Sequence, residues 1–175
     1  QLGSNIQMNR ERYRAMGGSH IKIFDSASIS RQQVEQLCAE FRPSLVIFDQ
    51  LDKIKGFIGD REDLRLGTIY IWAREIAKTY CPVIAVCQAD ASGEGKKYLN
   101  MDNVANAKTA KQAEADWILG IGKVHDASME YIRFLHLCKN KLQGDPDTVP
   151  ELRHGRMEVK ISPEIARYED QQYGT

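Results

Sequence analysis

Two apolar runs in the chain end at polar residues that carry chemistry. The run Leu-Val-Ile-Phe, residues 45–48, stops at Asp49, and the run over residues 83–87 is followed by Gln88 and Asp90. Strands that helices cover on both faces have continuous apolar sequences, whereas half-exposed strands alternate. The pattern therefore predicts two neighbouring parallel strands whose polar ends share one edge of a sheet.

Helical periodicity fills the segments between the strands. A capping box of serine and glutamine opens a predicted helix over residues 30–41, and a second predicted helix covers about residues 63–80. Residues 1–20 resemble the end of a preceding helix and a linker, which stops at two glycines. Residues 21–24, Ile-Lys-Ile-Phe, are predicted to form a short strand.

The second half of the chain changes in character. After a short helix, residues 116–122 are predicted to form a third buried strand, and residues 129–142 alternate as a long strand. Two closing antiparallel strands follow a turn-rich loop. The fold class predicted is α/β, with a mostly parallel sheet flanked by helices and an antiparallel C-terminal edge.

Composition and charge limit the classes of function. The chain has 175 residues, 42% of them hydrophobic, which is enough for one core and favours one domain. Its 24 basic and 24 acidic residues cancel, so any nucleic-acid contact must come from local patches. Four scattered cysteines favour reduced thiols over zinc or disulfides. Without a signal peptide or an apolar stretch of ~20 residues, we expect a soluble, cytoplasmic protein with no membrane partner.

Asp49 is the first candidate for chemistry. Ligands bind at the carboxyl ends of strands in open parallel sheets, and a carboxylate there is what Mg²⁺-nucleotide sites use. Gln88, at the end of the next strand, has an amide that can contact a γ-phosphate or orient water. The alternative for Asp49 is an acid that caps the following loop, which is the role predicted for Asp52.

The order of segments carries a resemblance to a known family. IKIFDSASIS, LVIFDQLDKI, AREIAKTYCPVIAVCQAD, KTAKQAEADWILGIG and LCKNKLQG resemble, in this order, the C-terminal RecA-like motor of DnaB-type replicative helicases, including phage members. The resemblance covers roughly residues 20–170. It implies a P-loop NTPase core that uses ATP and Mg²⁺ to unwind duplex DNA during replication, within a hexameric ring.

The resemblance also implies roles for individual residues. Asp49 matches the Walker B residue that holds Mg²⁺, and Gln88 matches the residue that couples nucleotide state to DNA contact. Lys139 and Lys141 match the basic pair that reaches the γ-phosphate bound by the neighbouring subunit. Lys141 stands where the family has arginine, and lysine is a point charge without the bidentate fork.

One family motif is missing from the sequence. No G-x-x-x-x-G-K-[ST] phosphate-binding loop occurs, and the segment SGEGKKYLN has the wrong spacing and position for one. We therefore expect a single RecA-like domain fragment that lacks its N-terminal part and is inactive alone. Its parts are the linker over residues 1–20, a parallel α/β core over 21–138, and the finger loop with closing strands over 139–175.

The DNA contacts implied by the resemblance lie in loops that line a central channel, after Asp49 and after Gln88. Mobile positive side chains suit phosphate contacts, although loop lysines are also the commonest solvated surface. The partners implied are single-stranded DNA, other copies of the chain, and a primase or helicase loader. The candidate DNA-binding residues are Lys53, Lys55, Arg61, Lys96, Lys97, Lys108 and Lys111.

Two other interpretations of the sequence stay open. A RecA/RadA-type recombinase or a circadian-clock-like ATPase would share the Walker B strand, but it would have a different loop pattern after Gln88. The chain could also be a non-catalytic fragment that folds and binds no nucleotide. Four scattered histidines lack the spacing of a metal site.

Overall fold

The structure is a computed structural model that describes residues 2–25, 29–105, 108–141 and 154–170. Its helices and strands alternate in the first two thirds, and antiparallel strands close the chain. The helices are α1 (Leu2–Ala15), α2 (Arg31–Phe41), α3 (Glu62–Thr79) and α4 (Lys108–Glu114). The strands are β1 (Val46–Asp49), β2 (Val83–Val86), β3 (Trp117–Gly122), β4 (Ile132–Asn140), β5 (Arg156–Ser162) and β6 (Arg167–Asp170). The predicted α/β class is confirmed.

The first sheet contains β1 and β2, paired in parallel with Val46 opposite Val83 and Asp49 opposite Val86. The main core packs α2 and α3 against one face of this sheet, where Phe48 contacts Trp72 at 5.6 Å between ring centroids. The opposite face is open, since the side chain of Ile47 is 61% exposed. The prediction that helices cover both faces is therefore wrong for the described residues, because both helices contribute to the same core.

The second sheet is antiparallel, in the order β3-β4-β5-β6. The sequence places β3 in the parallel core as a buried strand, but it pairs antiparallel with β4, and its side chains alternate between exposed and half-buried. A short connection between two strands favours this arrangement, because parallel neighbours need a crossover of about a dozen residues or more. The predicted antiparallel C-terminal strands are confirmed.

Residues 21–24 do not form the predicted strand. They follow α1 and the glycine pair, where Gly17 adopts a φ of 84° that glycine accommodates without strain. No described strand pairs with them; Ile23 is 88% exposed, and Phe24 packs on Phe41 of α2 with ring centroids 5.9 Å apart. An apolar segment becomes a strand only where a neighbour supplies the ladder of hydrogen bonds.

The capping box at the start of α2 is confirmed in both directions. The Ser30 amide donates to Gln33 Oε1 at 2.8 Å, and the Gln33 amide donates to Ser30 Oγ at 3.4 Å. This satisfies two N–H groups that would otherwise have no partner within the helix. The described cysteine thiols are all free, although only Cys38 and Cys81 are buried as predicted. Within the described ranges, no helix is both long enough and apolar enough to cross a membrane.

The loop between β2 and α4 is closed on itself. The Ala105 amide donates to the Gln88 carbonyl at 3.1 Å, and Ala89 and Val104 form a β-bridge. Asn103, which is 1% exposed, fills the loop centre, where its side-chain amide donates to Ser92 Oγ at 2.8 Å. Both ends of this loop are therefore tied at the sheet edge that carries Gln88.

Candidate functional site

Asp49 and Gln88 lie at the same edge of the parallel sheet, as predicted. Asp49 is the last residue of β1 and stands opposite Val86, two positions before Gln88. Both side chains are exposed, and the Asp49 carboxylate has no hydrogen bond or ion pair with another described residue. The carboxylate is thus open to a ligand, while the Gln88 backbone is held by the closed loop.

Asp52 does not cap a loop, in contrast to the prediction. Its carboxylate accepts a hydrogen bond from the Tyr70 hydroxyl at 3.0 Å and an ion pair from Lys111 Nζ at 2.6 Å. Its backbone carbonyl accepts from Arg65 Nη2 at 3.2 Å. Burial, with the nearby Cys87 and Asp52, raises the pKa of the Tyr70 phenol, so this hydroxyl remains a donor at neutral pH. Asp52 is therefore a structural acid that joins the turn after β1 to α3 and α4.

Lys111 is wrong as a DNA-binding residue. It is 2% exposed, its ammonium lies 5.2 Å from the centroid of the Tyr70 ring, and Asp52 holds it from the other side. A buried, paired ammonium has no access to a phosphate, and burying it without its partner would be strongly unfavourable. The sequence conceals this because the two partners are 59 positions apart.

Lys139 and Lys141 reach the carboxyl end of α4 in their own chain. Lys141 Nζ donates to the Ala113 carbonyl at 2.9 Å, and Lys139 Nζ donates to the Gln112 carbonyl. Burial and the neighbouring charge of Lys141 lower the pKa of Lys139. The carbonyls of the last helical turn carry partial negative charge and attract cations, which explains why both lysines dock here.

Sequence reasoning missed a third basic residue at this place. Arg74 of α3 donates to the Glu114 carbonyl at 2.5 Å and to Asp116 Oδ1 at 3.1 Å. Asp116 also accepts the Lys141 amide through its backbone carbonyl at 2.7 Å, so its predicted structural role is confirmed. No local sequence signal identifies Arg74, because it looks like an ordinary charged residue on an exposed helical face.

The candidate residues after β1 are exposed but partly anchored. Lys53 and Lys55 have exposed side chains, and the Lys55 backbone forms a bridge with Ser30. Arg61 donates to the Asp63 carboxylate through two nitrogens, at 2.7 and 3.0 Å. This loop therefore presents positive side chains from a backbone that is fixed to the start of α2.

The candidates in the loop after β2 fall into two groups. Lys96 is exposed, whereas Lys97 forms an ion pair with Glu158 at 2.6 Å and lies 4.8 Å from the Phe134 ring centroid. Lys108 is the first residue of α4, and its side chain is outside the part that the structure describes. Whether the exposed lysines bind DNA stays a prediction.

The described residues can hold Mg²⁺ only in one way. They include no cluster of three potential metal ligands, so a closed protein cage is absent from this part of the chain. Mg²⁺ in nucleotide sites is typically bound by one or two carboxylates, while water and phosphate oxygens complete its octahedron. The open, unpaired carboxylate of Asp49 fits that arrangement.

Comparison with known proteins identifies the fold. No protein-family model matches the sequence, and no curated protein matches it significantly. A solved structure of a replicative helicase ATPase domain superposes with a TM-score of 0.70 at 16% identity, over 87% of this chain and 55% of that one. A DnaB-like replicative helicase, described with its interactions with primase, gives 0.69 at 16% identity, over 87% of this chain and 38% of that one.

The chain thus spans about half, or less, of the solved chains that it resembles. The likeness extends over both sheets and most of the helices, since it covers 87% of the sequence. The fold of this chain is the RecA-like α/β fold of DnaB-like replicative helicase ATPase domains.

Proposed function

We propose that these residues are part of the ATP-driven motor of a hexameric replicative helicase that unwinds duplex DNA. The observation that carries the proposal is the open Asp49 carboxylate at the end of β1, beside Gln88, in a RecA-like fold. Ligands of open α/β sheets bind at this edge. Mg²⁺ bound with ATP would neutralise phosphate charge, and Asp49 is the residue that would hold it.

The other residues of this edge have separate tasks in the proposal. Gln88 is placed to orient a water or to sense the terminal phosphate, since its side chain is exposed while its backbone is tied to the closed loop. The turn after β1 stays rigid because Asp52 is held by Tyr70 and Lys111. A rigid base favours Asp49 because a small misplacement of a catalytic group costs up to ~10²-fold in rate.

In this proposal the phosphate cradle comes from chain outside these 175 residues. The sequence contains no G-x-x-x-x-G-K-[ST], and Ile47 and Val86 leave an apolar face of the parallel sheet 61% and 45% exposed at these side chains. A sheet with apolar residues on both faces is typical of strands that are covered on both sides. Further segments would cover this face, and the 175 residues alone would not hydrolyse ATP.

Lys139 and Lys141 act on the nucleotide of a neighbouring subunit in this proposal. Their ammonium groups contact carbonyls of their own α4 in the described chain, so they must exchange these partners for phosphate oxygens. Charged phosphate is the stronger acceptor, because hydrogen bonds between two ions are roughly twice as strong as neutral ones.

The partners proposed are single-stranded DNA, other copies of the chain, and a primase or helicase loader. The exposed Lys53, Lys55 and Lys96 are the strongest candidates for phosphate contacts. Arg61 and Lys97 would first have to leave Asp63 and Glu158, respectively. The primase proposal is supported by the solved DnaB-like helicase, whose description includes primase.

The test uses a protein that contains these residues together with a phosphate-binding loop. Asp49→Asn removes the charge that faces Mg²⁺ and is nearly isosteric, so we expect loss of DNA-stimulated ATP hydrolysis and of unwinding with an intact fold. Asp63→Asn, on the exposed start of α3, is the matched control. Hydrolysis that survives Asp49→Asn would contradict the site, and strand exchange without unwinding would indicate a recombinase.

A further inference from the structure

Helix α4 contacts every part of the candidate site through consecutive residues. Lys111 pairs with Asp52, three positions after Asp49, and Gln112 Nε2 donates to the Met101 carbonyl of the closed loop at 2.6 Å. The carbonyls of Gln112 and Ala113 accept from Lys139 and Lys141. One short helix therefore joins the sheet edge, the loop after Gln88 and both candidate finger lysines.

The position of this helix depends on its tertiary contacts. Helices shorter than ~12 residues are marginal in water, and α4 has only seven. Its most buried described polar contact is the Lys111 ammonium, whose side chain is 3% exposed, on the Asp52 carboxylate. Ala110 adds only a small packing contact, since a Cβ placed on Gly67 of α3 would lie 3.6 Å from its methyl group.

We propose that Lys111 is a positioning residue: its buried ion pair with Asp52 fixes α4, and the last carbonyls of α4 in turn set the positions of Lys139 and Lys141. The function of the two lysines rests on the helicase proposal, whereas their placement by α4 does not. Buried ion pairs commonly stabilise less than apolar substitutes of the same size, so a role in fixing one register is the use that such pairs serve best.

The mechanical consequence is directional. A change at the turn after β1 moves Asp52, which moves Lys111 and therefore the carboxyl end of α4. Lys139 and Lys141 then lose or gain their carbonyl acceptors without any contact of their own with the sheet edge. The ion pair thus couples the strand that carries Asp49 to residues that act at the neighbouring subunit.

The test observes the lysine side chains directly, in the 175-residue chain. NMR resonances of the Lys139 and Lys141 ammonium groups are compared in the parent chain, in Lys111→Met, and in the double variant Asp52→Asn with Lys111→Met. We expect both signals to shift toward those of an exposed lysine in both variants, because α4 loses its anchor. Lys78→Met, which breaks the exposed pair with Glu75, is the control that leaves both signals unchanged.

The double variant separates placement from stability, because it leaves no unpaired buried charge. If it folds with unchanged Lys139 and Lys141 signals, the proposal is overturned. It is also overturned if both variants unfold, since the pair would then support the whole fold and not the placement of α4. A merely structural lysine would change the unfolding midpoint but leave the two ammonium signals of the folded state in place.

Kinetics of a protein with a phosphate-binding loop provide the second readout. Lys111→Met is expected to lower kcat roughly 10- to 100-fold while KM for ATP changes little, because the lysines are misplaced only for the reacting complex. Unchanged kcat would contradict the coupling. The NMR result needs neither nucleotide nor DNA, so failure of the helicase proposal and failure of this one can be distinguished.

Discussion

The end of β1 and the turn that follows it carry two aspartates with opposite surroundings. Asp49 is exposed and has no partner among the described residues, whereas Asp52 is held by a buried ammonium and a tyrosine hydroxyl. Both are the same residue type, three positions apart. The difference teaches that the local sequence indicates where a carboxylate lies along the chain, but tertiary partners decide whether it can bind a ligand.

The basic residues show the same contrast. Lys53 and Lys96 extend into solvent, Lys111 is buried, and Lys139 and Lys141 contact helix carbonyls. The sheet edge at Asp49 is ready for a ligand, while the α4 end must first release its present contacts. Each prediction below tests one side of this contrast.

The largest expected effect concerns Lys141 and Asp49 in a protein with a phosphate-binding loop. Lys141→Ala should lower ATP turnover by ~10³ or more if the lysine acts across the interface. Mixed with Asp49→Asn subunits, it should regain part of the turnover, because some interfaces pair an intact Asp49 with an intact Lys141. ATP hydrolysis is measured at fixed total protein, with single-stranded DNA present and subunit exchange verified.

Two controls accompany this mixing experiment. Lys160→Ala, on an exposed position of β5, should leave turnover unchanged. A mixture that shows only the weighted average of the two variants would rule out the action of Lys141 in trans.

The second effect compares the stability roles of the two aspartates. Asp52→Asn leaves the Lys111 ammonium buried without its charge partner, so we expect the free energy of unfolding to fall by about 3–5 kcal/mol. Asp49→Asn should change it by less than ~0.5 kcal/mol, as is usual for exposed positions. Urea unfolding of the 175-residue chain measures both, and equal losses would remove the distinction between them.

The third effect tests how firmly the loop after β2 is held. A Cβ at Gly122 would meet the Lys97 carbonyl and lie 2.6 Å from the Lys96 carbonyl, so Gly122→Ala should cost about 1–3 kcal/mol by overpacking. Gly67→Ala, inside α3 with only an ordinary 3.6 Å contact, should instead gain up to ~1 kcal/mol. The same unfolding measurement applies, and a neutral Gly122→Ala would mean that the loop moves away freely.

The smallest effect comes from Glu35, a carboxylate between these extremes. Arg31 and Trp72 donate to it at 2.9 and 2.7 Å and hold its pKa below the ordinary 4.5. A lowered pKa contributes stability above the unfolded value, which is lost as pH falls through the folded one. Glu35→Gln should therefore cost a few tenths of a kcal/mol near pH 7, typical of half-exposed pairs.

Unfolding curves between pH 7 and pH 3 check this dependence. The difference between the parent chain and Glu35→Gln should shrink as the pH drops below about 4.5. A difference that grows on acidification would mean that the partners of Glu35 favour its protonated form.

The elements that could be predicted are those with local causes. The capping box fixes the start of α2, and the polar stops after two apolar runs identify the edge that carries Asp49 and Gln88. Residues 21–24 and β3 could not be placed, because strand formation depends on which neighbour is available. An apolar segment has the same composition with and without that neighbour.

The candidate site divides in the same way. Asp49 could be identified because its position at a strand end is a property of the sequence around it. The burial of Lys111 could not be predicted, since Asp52 and Tyr70 are distant in sequence and nothing near Lys111 distinguishes it from the exposed Lys96. The docking of Lys139 and Lys141 on helix carbonyls also requires the antiparallel β4 to run past α4.

The open face of the sheets determines how the isolated chain behaves in concentrated solution. Ile47, Trp117 and Ile121 are 61%, 44% and 47% exposed, and the formal charge of the chain at pH 7 is zero. Without net repulsion between molecules, apolar patches make the osmotic second virial coefficient negative. Buffers well away from neutral pH should therefore delay precipitation, and light scattering against concentration would follow the change.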